Sequence, residues 1–202
     1  EHSHCIEISW DELQNKVSSI QQFLLTKKIT KGDRICGVLN NTIDTIAVFL
    51  AVNSLGAIWS CCSPDFGDKS IADRFIQIQP KILFIEQEYQ YNNKVFSKTR
   101  TLAYLQDNIP SITAAIAVNS TQWNAIFADF KPQDLFFQRV SFSHPLWILY
   151  SSGTTGIPKA ITHGTGGILV EHMKALALHQ NVQRGDNFLW YSTTGWMMWN
   201  YS

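Results

Sequence analysis

Four hydroxyls, two glycines and one lysine fall within the nine residues 151–159, directly after the apolar run at 145–150. Glycine admits φ above zero and lets backbone amides approach an anion closely. Ser151, Ser152, Thr154 and Thr155 add short donors, and Lys159 adds a point charge. Successive amides in such a turn form an anion-binding nest. The chemistry this suits is the grip on a polyphosphate. A Walker loop is excluded, because Gly153 and Gly156 stand three apart and Lys159 is followed by Ala160. The run Gly164-Thr165-Gly166-Gly167 is a weak match to a dinucleotide fingerprint, since Leu169 stands where a third glycine is needed.

Other candidate groups read more plainly. His172 and His179 are seven apart, and no His-Glu-x-x-His motif accompanies them, so surface or boundary positions are expected. Trp10, Trp59, Trp123, Trp147 and Trp190 are expected in the core. Cys61 and Cys62 read as small buried residues at a strand end. His2, His4 and Cys5 lie close together, but further ligands at zinc spacing are not apparent, so an exposed terminus is expected there.

The elements that must position the loop follow from periodicity and punctuation. Ser9 to Glu12 forms a capping box, followed by Leu13, Val17, Ile20 and Leu24 at helical spacing. Strands are expected at 34–39, 57–61, 81–86, 113–118, 145–150 and 187–191, with an extended run at 161–163. Helices are expected at 42–55, ended by Gly56, at 70–79, stopped by Pro80, and at 95–107. A further helix is expected at 166–180, carrying Ile168, Leu169, Met173, Leu176 and Ala177 on one side. Residues 120–143 read as mostly loop with a short helix. Alternating strands and helices predict an α/β fold with mostly parallel sheets covered by helices.

The composition is that of a folded chain: 202 residues, 45% apolar and 16% charged. Sixteen basic residues balance sixteen acidic ones, so no long-range field draws the chain to nucleic acid or to an anionic membrane. Any bound phosphate must be held by local geometry. Four cysteines, two of them adjacent, argue against a disulfide framework and for a cytoplasmic setting. The apolar stretch at 43–60 is broken by Asp44, Asn53 and Ser54 and is too polar and too short for a membrane span. No signal peptide shows at Glu1-His2-Ser3-His4. The chain lacks an initiator Met and ends inside an aromatic run, so it reads as cut at both ends.

The segment Tyr150-Ser-Ser-Gly-Thr-Thr-Gly-Ile-Pro-Lys-Ala160, with Thr162-His163-Gly164, resembles the phosphate-binding signature of the adenylate-forming (AMP-dependent) acyl-CoA synthetase superfamily. Gly32-Asp33-Arg34 and Leu55-Gly56-Ala57-Ile58 extend the resemblance backward, to nearly the whole chain. Trp59-Ser-Cys-Cys-Ser-Pro-Asp-Phe-Gly67 and Thr194-Gly-Trp-Met-Met-Trp-Asn200 resemble the acetoacetyl branch of that family, and Ala160 agrees with it.

The resemblance implies that residues 1–202 are part of an adenylation domain, an incomplete large N-terminal domain. It implies ATP, with Mg²⁺ bound to it, acetoacetate and CoA as small-molecule partners. An acyl-adenylate would form first and then pass its acyl group to the CoA thiol. By position, Ser151, Ser152, Gly153, Thr154, Thr155 and Gly156 would wrap the β- and γ-phosphates, and Lys159 would add charge or hold the loop. Pro158 would stiffen the turn, and His163 would support the loop. Trp196, Trp199 and Asn200 would line the acyl pocket, with Trp199 as a wall and Asn200 as the polar contact. No protein metal site is implied.

The family's adenine motif, its ribose acid, its small C-terminal lid domain and the lid's catalytic lysine are not found in these 202 residues. The chain alone is therefore expected to turn over negligibly. Another short-chain acyl-CoA synthetase (acetyl- or propionyl-type), or a non-catalytic nucleotide-binding remnant, are the alternatives. An exposed sheet edge would then favour self-association.

Overall fold

The computed structural model describes residues 6–151 and 156–201. Its first helix, α1 (Trp10–Thr26), opens on the expected capping box: the Glu12 amide donates to the Ser9 hydroxyl, and the Ser9 amide donates to the Glu12 carboxylate at 2.8 Å. β1 (Arg34–Val38), α2 (Ile43–Ser54), β2 (Ile58–Cys62), α3 (Asp68–Phe75) and β3 (Ile82–Glu86) follow. The hairpin β4 (Glu88–Tyr91) and β5 (Lys94–Ser97) precedes α4 (Thr99–Asn108), β6 (Ala114–Val118) and α5 (Thr121–Asp129). After a long connection come β7 (Pro145–Ser151), β8 (Lys159–Gly164) and α6 (Thr165–Lys174). A π-helical turn (Ala175–His179) and a 3-10 turn (Met197–Asn200) complete the described chain.

Six strands form one sheet in the order β6-β3-β1-β2-β7-β8. All neighbours are parallel except β7 and β8, which are antiparallel. Burial on both faces explains the nearly continuous apolar strands. On β3, Ile82 and Phe84 join a core with Val17, Ile20, Ala47, Val48 and Trp123 from α1, α2 and α5. Leu83 and Ile85 point the other way, toward Ile71, Phe75 and Leu105 from α3 and α4. The α/β fold with helices on both faces is therefore as expected.

Several boundaries differ. Residues 95–97 belong to β5 and not to a helix, and α4 starts at Thr99. Asn92 and Asn93 both adopt positive φ, 47° and 58°, which closes a two-residue hairpin, and Tyr89 stacks on Phe96 at 5.2 Å. The expected helix at 70–79 starts at Asp68 and ends at Phe75; Gln79 has φ 48°, which no helix tolerates. The helix expected at 166–180 is α6 only to Lys174 and then widens into the π turn. Leu169, Met173 and Leu176 on it are exposed. No strand forms at 187–191, because no strand among the described residues lies beside it to pair, and Leu189 and Tyr191 face solvent. β6 and β8 are the edges of the sheet.

Trp59, Trp123 and Trp147 are core residues as expected, but Trp10 is 85% exposed at the start of α1 and Trp190 is 46% exposed. Trp10 precedes the buried stripe of α1, and Trp190 lies in the unpaired segment, so neither has a neighbouring layer to cover it. Cys36, Cys61 and Cys62 are buried, and burial pushes the Cys61 thiol up to about 12. His2, His4 and Cys5 lie outside the described residues. No helix is long and apolar enough to cross a membrane among the described residues.

Candidate active site

β7 carries its chain out at the carboxyl edge of the sheet, and β8 brings it back. Ser151 pairs with Lys159 across the base of the loop. Gly156 has φ 87°, a conformation that suits glycine, with nothing within 4 Å of where a Cβ would stand. Pro158 is buried, and Lys159 is exposed at the start of β8. Ser152, Gly153, Thr154 and Thr155, four of the expected phosphate contacts, lie outside the described residues.

The end of α3 and the turn after it abut the two arms of this loop. On the outgoing arm, the Tyr150 hydroxyl donates to the Arg74 carbonyl oxygen at 3.0 Å. Burial pushes the Tyr150 phenol up, which keeps it a donor. The Arg74 guanidinium stacks on Phe66 at 4.9 Å and on Tyr150 at 5.8 Å. On the return arm, Gln77 contacts Pro158 and Ala160. An open recess of about 620 Å³ lies between Gly156, Pro158 and α3, where Asp68, Lys69, Ser70, Asp73 and Arg74 line it. Its Lys69 is paired with Asp73 at 2.9 Å.

A second cavity, of about 280 Å³, is lined by Asn41, Ile46, Phe49, His172, Trp190, Ser192, Trp199 and Asn200. The segment that builds it crosses the carboxyl ends of β1 and β2. The Thr194 hydroxyl donates to the Leu39 carbonyl oxygen. A Cβ on Gly195 would come within 2.9 Å of the Phe66 ring and 3.0 Å of Ser63, so only glycine fits that crossing. Trp199 donates from Nε1 to Asn41 Oδ1 at 2.9 Å and packs edge-on against Phe49 at 6.0 Å.

Asn200 is 5% exposed, and both its Nδ2 and its Oδ1 lack a hydrogen-bond partner. A buried amide with two unused polar atoms on a cavity wall is equipped to take one donor and one acceptor from a ligand. The backbone carbonyl oxygen of Asn200 lies 3.0 Å from His172 Nε2. His172 in turn packs with Trp147 and Tyr201. His163 packs on Trp147 and Tyr201 as well, and burial lowers its pKa.

Trp199 and Asn200 thus meet on one cavity, whereas Trp196 does not line it and is 66% exposed. Asn41, Phe49, His172, Trp190 and Ser192 join them without having been expected there. The Asn40-Asn41 pair directly after a buried strand was the available signal, because ligands of open α/β sheets sit at the carboxyl ends of strands. His172 is half-buried, as a boundary position should be, yet it faces the cavity. Among the described residues no group of three or more His, Cys, Asp or Glu could hold a metal ion.

A glycine- and hydroxyl-rich loop at the carboxyl edge of a parallel sheet is the layout of nucleotide-binding α/β enzymes. The residues narrow the class: the chain belongs to the AMP-binding enzyme family, whose sequence pattern matches residues 3–200. Over 96% of its length it is 40% identical to the acetoacetyl-coenzyme A synthetase of Rhizobium meliloti. It is 36% identical over 96% of its length to the malonamoyl-CoA synthetase of Penicillium aethiopicum, covering 30% of that protein. Acetoacetyl-CoA synthetase from Streptomyces lividans superposes with a TM-score of 0.90 at 39% identity, over 97% of this chain and 31% of that one. The acetoacetyl branch expected from residues 59–67 and 194–200 is the branch to which the first and third of these belong. The chain spans about a third of the length of the Rhizobium relative, 32%.

Proposed function

We propose that this chain carries the phosphate-binding and acyl-binding elements of an ATP-dependent, AMP-forming acetoacetate–CoA ligase. The 40% identity to an acetoacetyl-CoA synthetase over 96% of the chain carries this reading. The acetoacetate carboxylate attacks the α-phosphorus of ATP, and pyrophosphate leaves. The CoA thiol then attacks the acyl-adenylate, and AMP leaves. The carboxylate is itself the nucleophile, so no activated side chain is required, and catalysis rests on positioning and charge stabilisation.

Ser151, Ser152, Gly153, Thr154, Thr155 and Gly156 hold the β- and γ-phosphates, with Lys159 at the base of the loop. Mg²⁺ carried in on the nucleotide would offset the charge of the phosphate oxygens there. Acetoacetate differs from butyrate by one ketone. The unused Asn200 amide supports a hydrogen bond to that ketone, and Phe49 and Trp199 supply the apolar wall. The likeness to a malonamoyl-CoA synthetase favours a second acid of the same kind, since malonamate also carries a carbonyl β to its carboxylate.

The chain alone turns over negligibly in this reading, because it spans about a third of its relatives' length. The test is a chimera in which these 202 residues replace the matching third of an acetoacetyl-CoA synthetase relative. Pyrophosphate exchange into ATP is measured with acetate, butyrate, acetoacetate and malonamate. Preference for the β-carbonyl acids, lost on Asn200→Ala, is the expected result. Equal rates with butyrate, or an unchanged preference in Asn200→Ala, would overturn the assignment of the acid.

A further inference from the structure

We propose that His172 is a positioning residue: it aims the Asn200 amide at the acid's β-carbonyl by tying the Asn200 main chain to α6. The inference rests on reading the cavity that Asn200 lines as the acyl pocket. The Asn200 carbonyl oxygen and His172 Nε2 are 3.0 Å apart. A carbonyl oxygen only accepts, so the contact is a hydrogen bond with the proton on Nε2. Asn200 is the last residue of the 3-10 turn Met197–Asn200, where carbonyl groups run out of partners within the turn. His172 thus supplies that carbonyl with a donor from another element.

The residues on either side of Asn200 are held from other directions. Trp199 Nε1 donates to Asn41 Oδ1 at 2.9 Å, and its ring packs edge-on against Phe49 at 6.0 Å. Tyr201 packs edge-on against Trp147 at 6.1 Å, His163 at 5.6 Å and His172 at 6.2 Å. The Asn200 side chain makes no hydrogen bond of its own, so its direction follows from its backbone and its packing.

His172 can hold that backbone because its own place is fixed. Ile168, one turn earlier on the same face of α6, is buried in the core, whereas Leu169 and Met173 are exposed. The His172 ring also lies 5.9 Å from the ring of Trp147, a buried residue of β7. A polar contact discriminates between ligands only when it is held within about 0.5 Å of its working position. Without His172, Asn200 still carries its amide but loses the restraint on where that amide points.

Two substitutions separate the donor from the ring. His172→Phe keeps an aromatic ring against Trp147 and Tyr201 and removes the donor. His172→Gln returns an N–H at nearly the reach of Nε2. Both are made in the chimera with the acetoacetyl-CoA synthetase relative, and pyrophosphate exchange is measured with acetoacetate and butyrate. His172→Phe should lower the acetoacetate-to-butyrate ratio of kcat/KM by about three- to tenfold, the size of one hydrogen bond, and His172→Gln should restore most of it. His172→Asn, too short to reach the carbonyl, should lower the ratio as His172→Phe does, and it decides the matter if His172→Phe does not fold. Nitrogen NMR of the imidazole in the unsubstituted 202-residue chain should show a proton on His172 Nε2.

A residue that only supported the fold would lower both acids together, so an unchanged ratio in the variants overturns the positioning role. A proton on Nδ1 alone overturns it as well and leaves the acyl-pocket reading standing. If the unsubstituted chimera does not prefer acetoacetate to butyrate, that reading falls, and the role of His172 falls with it.

Discussion

Replacing Asn200 with leucine should make the chain more stable while removing the polar contact proposed for it. Asn200 is 95% buried, and neither amide atom has a partner. A buried polar group left unpaired costs about 1–3 kcal/mol, and most side chains that carry one are held in place by function. Leucine keeps the branching at Cγ, and the adjoining cavity of about 280 Å³ takes its extra volume. The desolvation cost vanishes and apolar burial is gained, for a net stabilisation of about 2 kcal/mol. For a chain of this length that is a rise in Tm of about 4–8 °C. Urea unfolding followed by tryptophan fluorescence gives the free energy, and calorimetry gives Tm. Asn200→Asp is the control, since a buried carboxylate there must lower stability. A leucine variant with a midpoint at or below the parent's would refute the reasoning, because it would mean that both amide atoms are already satisfied.

Asp33 tests the electrostatics. Burial raises its carboxyl, but the Lys81 ammonium at 2.7 Å and hydrogen bonds from the Thr30 amide and hydroxyl outweigh it, leaving a lowered pKa. A carboxyl depressed in the folded state adds stability above its unfolded pKa of about 4 and loses it as pH falls through the folded value. Asp33→Asn should cost about 2 kcal/mol at pH 7 and flatten stability against pH below about 4, measured by urea unfolding across pH. Gly37→Ala should destabilise by about 1–3 kcal/mol, because its Cβ would lie 2.7 Å from the Trp59 ring and 2.9 Å from Leu39, both fully buried; a Tm scan checks it. Cys36, Cys61 and Cys62 should resist a thiol reagent in the native chain and react in denaturant, because burial raises all three thiols. Fast native reaction of any of these would contradict the packing of β1 against β2.

Much of the sheet was legible because its signals are local. Strands buried on both faces are apolar without interruption, as at 82–85, and the Ser9–Glu12 capping box and the Gly56 stop act within one turn of helix. The proposal for the 151–159 loop rests on a signal of the same local kind, since its hydroxyls, glycines and lysine stand in sequence. Where neighbours decide, the sequence was silent. The expected strand at 187–191 has the residues of a strand, but a strand needs an adjacent one for its amides, and tertiary structure alone decides whether one is there. Trp10 and Trp190 look like core residues to any hydropathy rule and stand exposed, because burial depends on which layer a face meets. Asn41, in the connection after β1, and Phe49, on α2, share a cavity with His172 of α6 and with Asn200 only because the fold brings these segments of chain together. The chemistry proposed for the loop thus rests on consecutive residues, whereas the cavity that Asn200 lines is a product of topology, which brings His172 and Asn200 to the segment after β1.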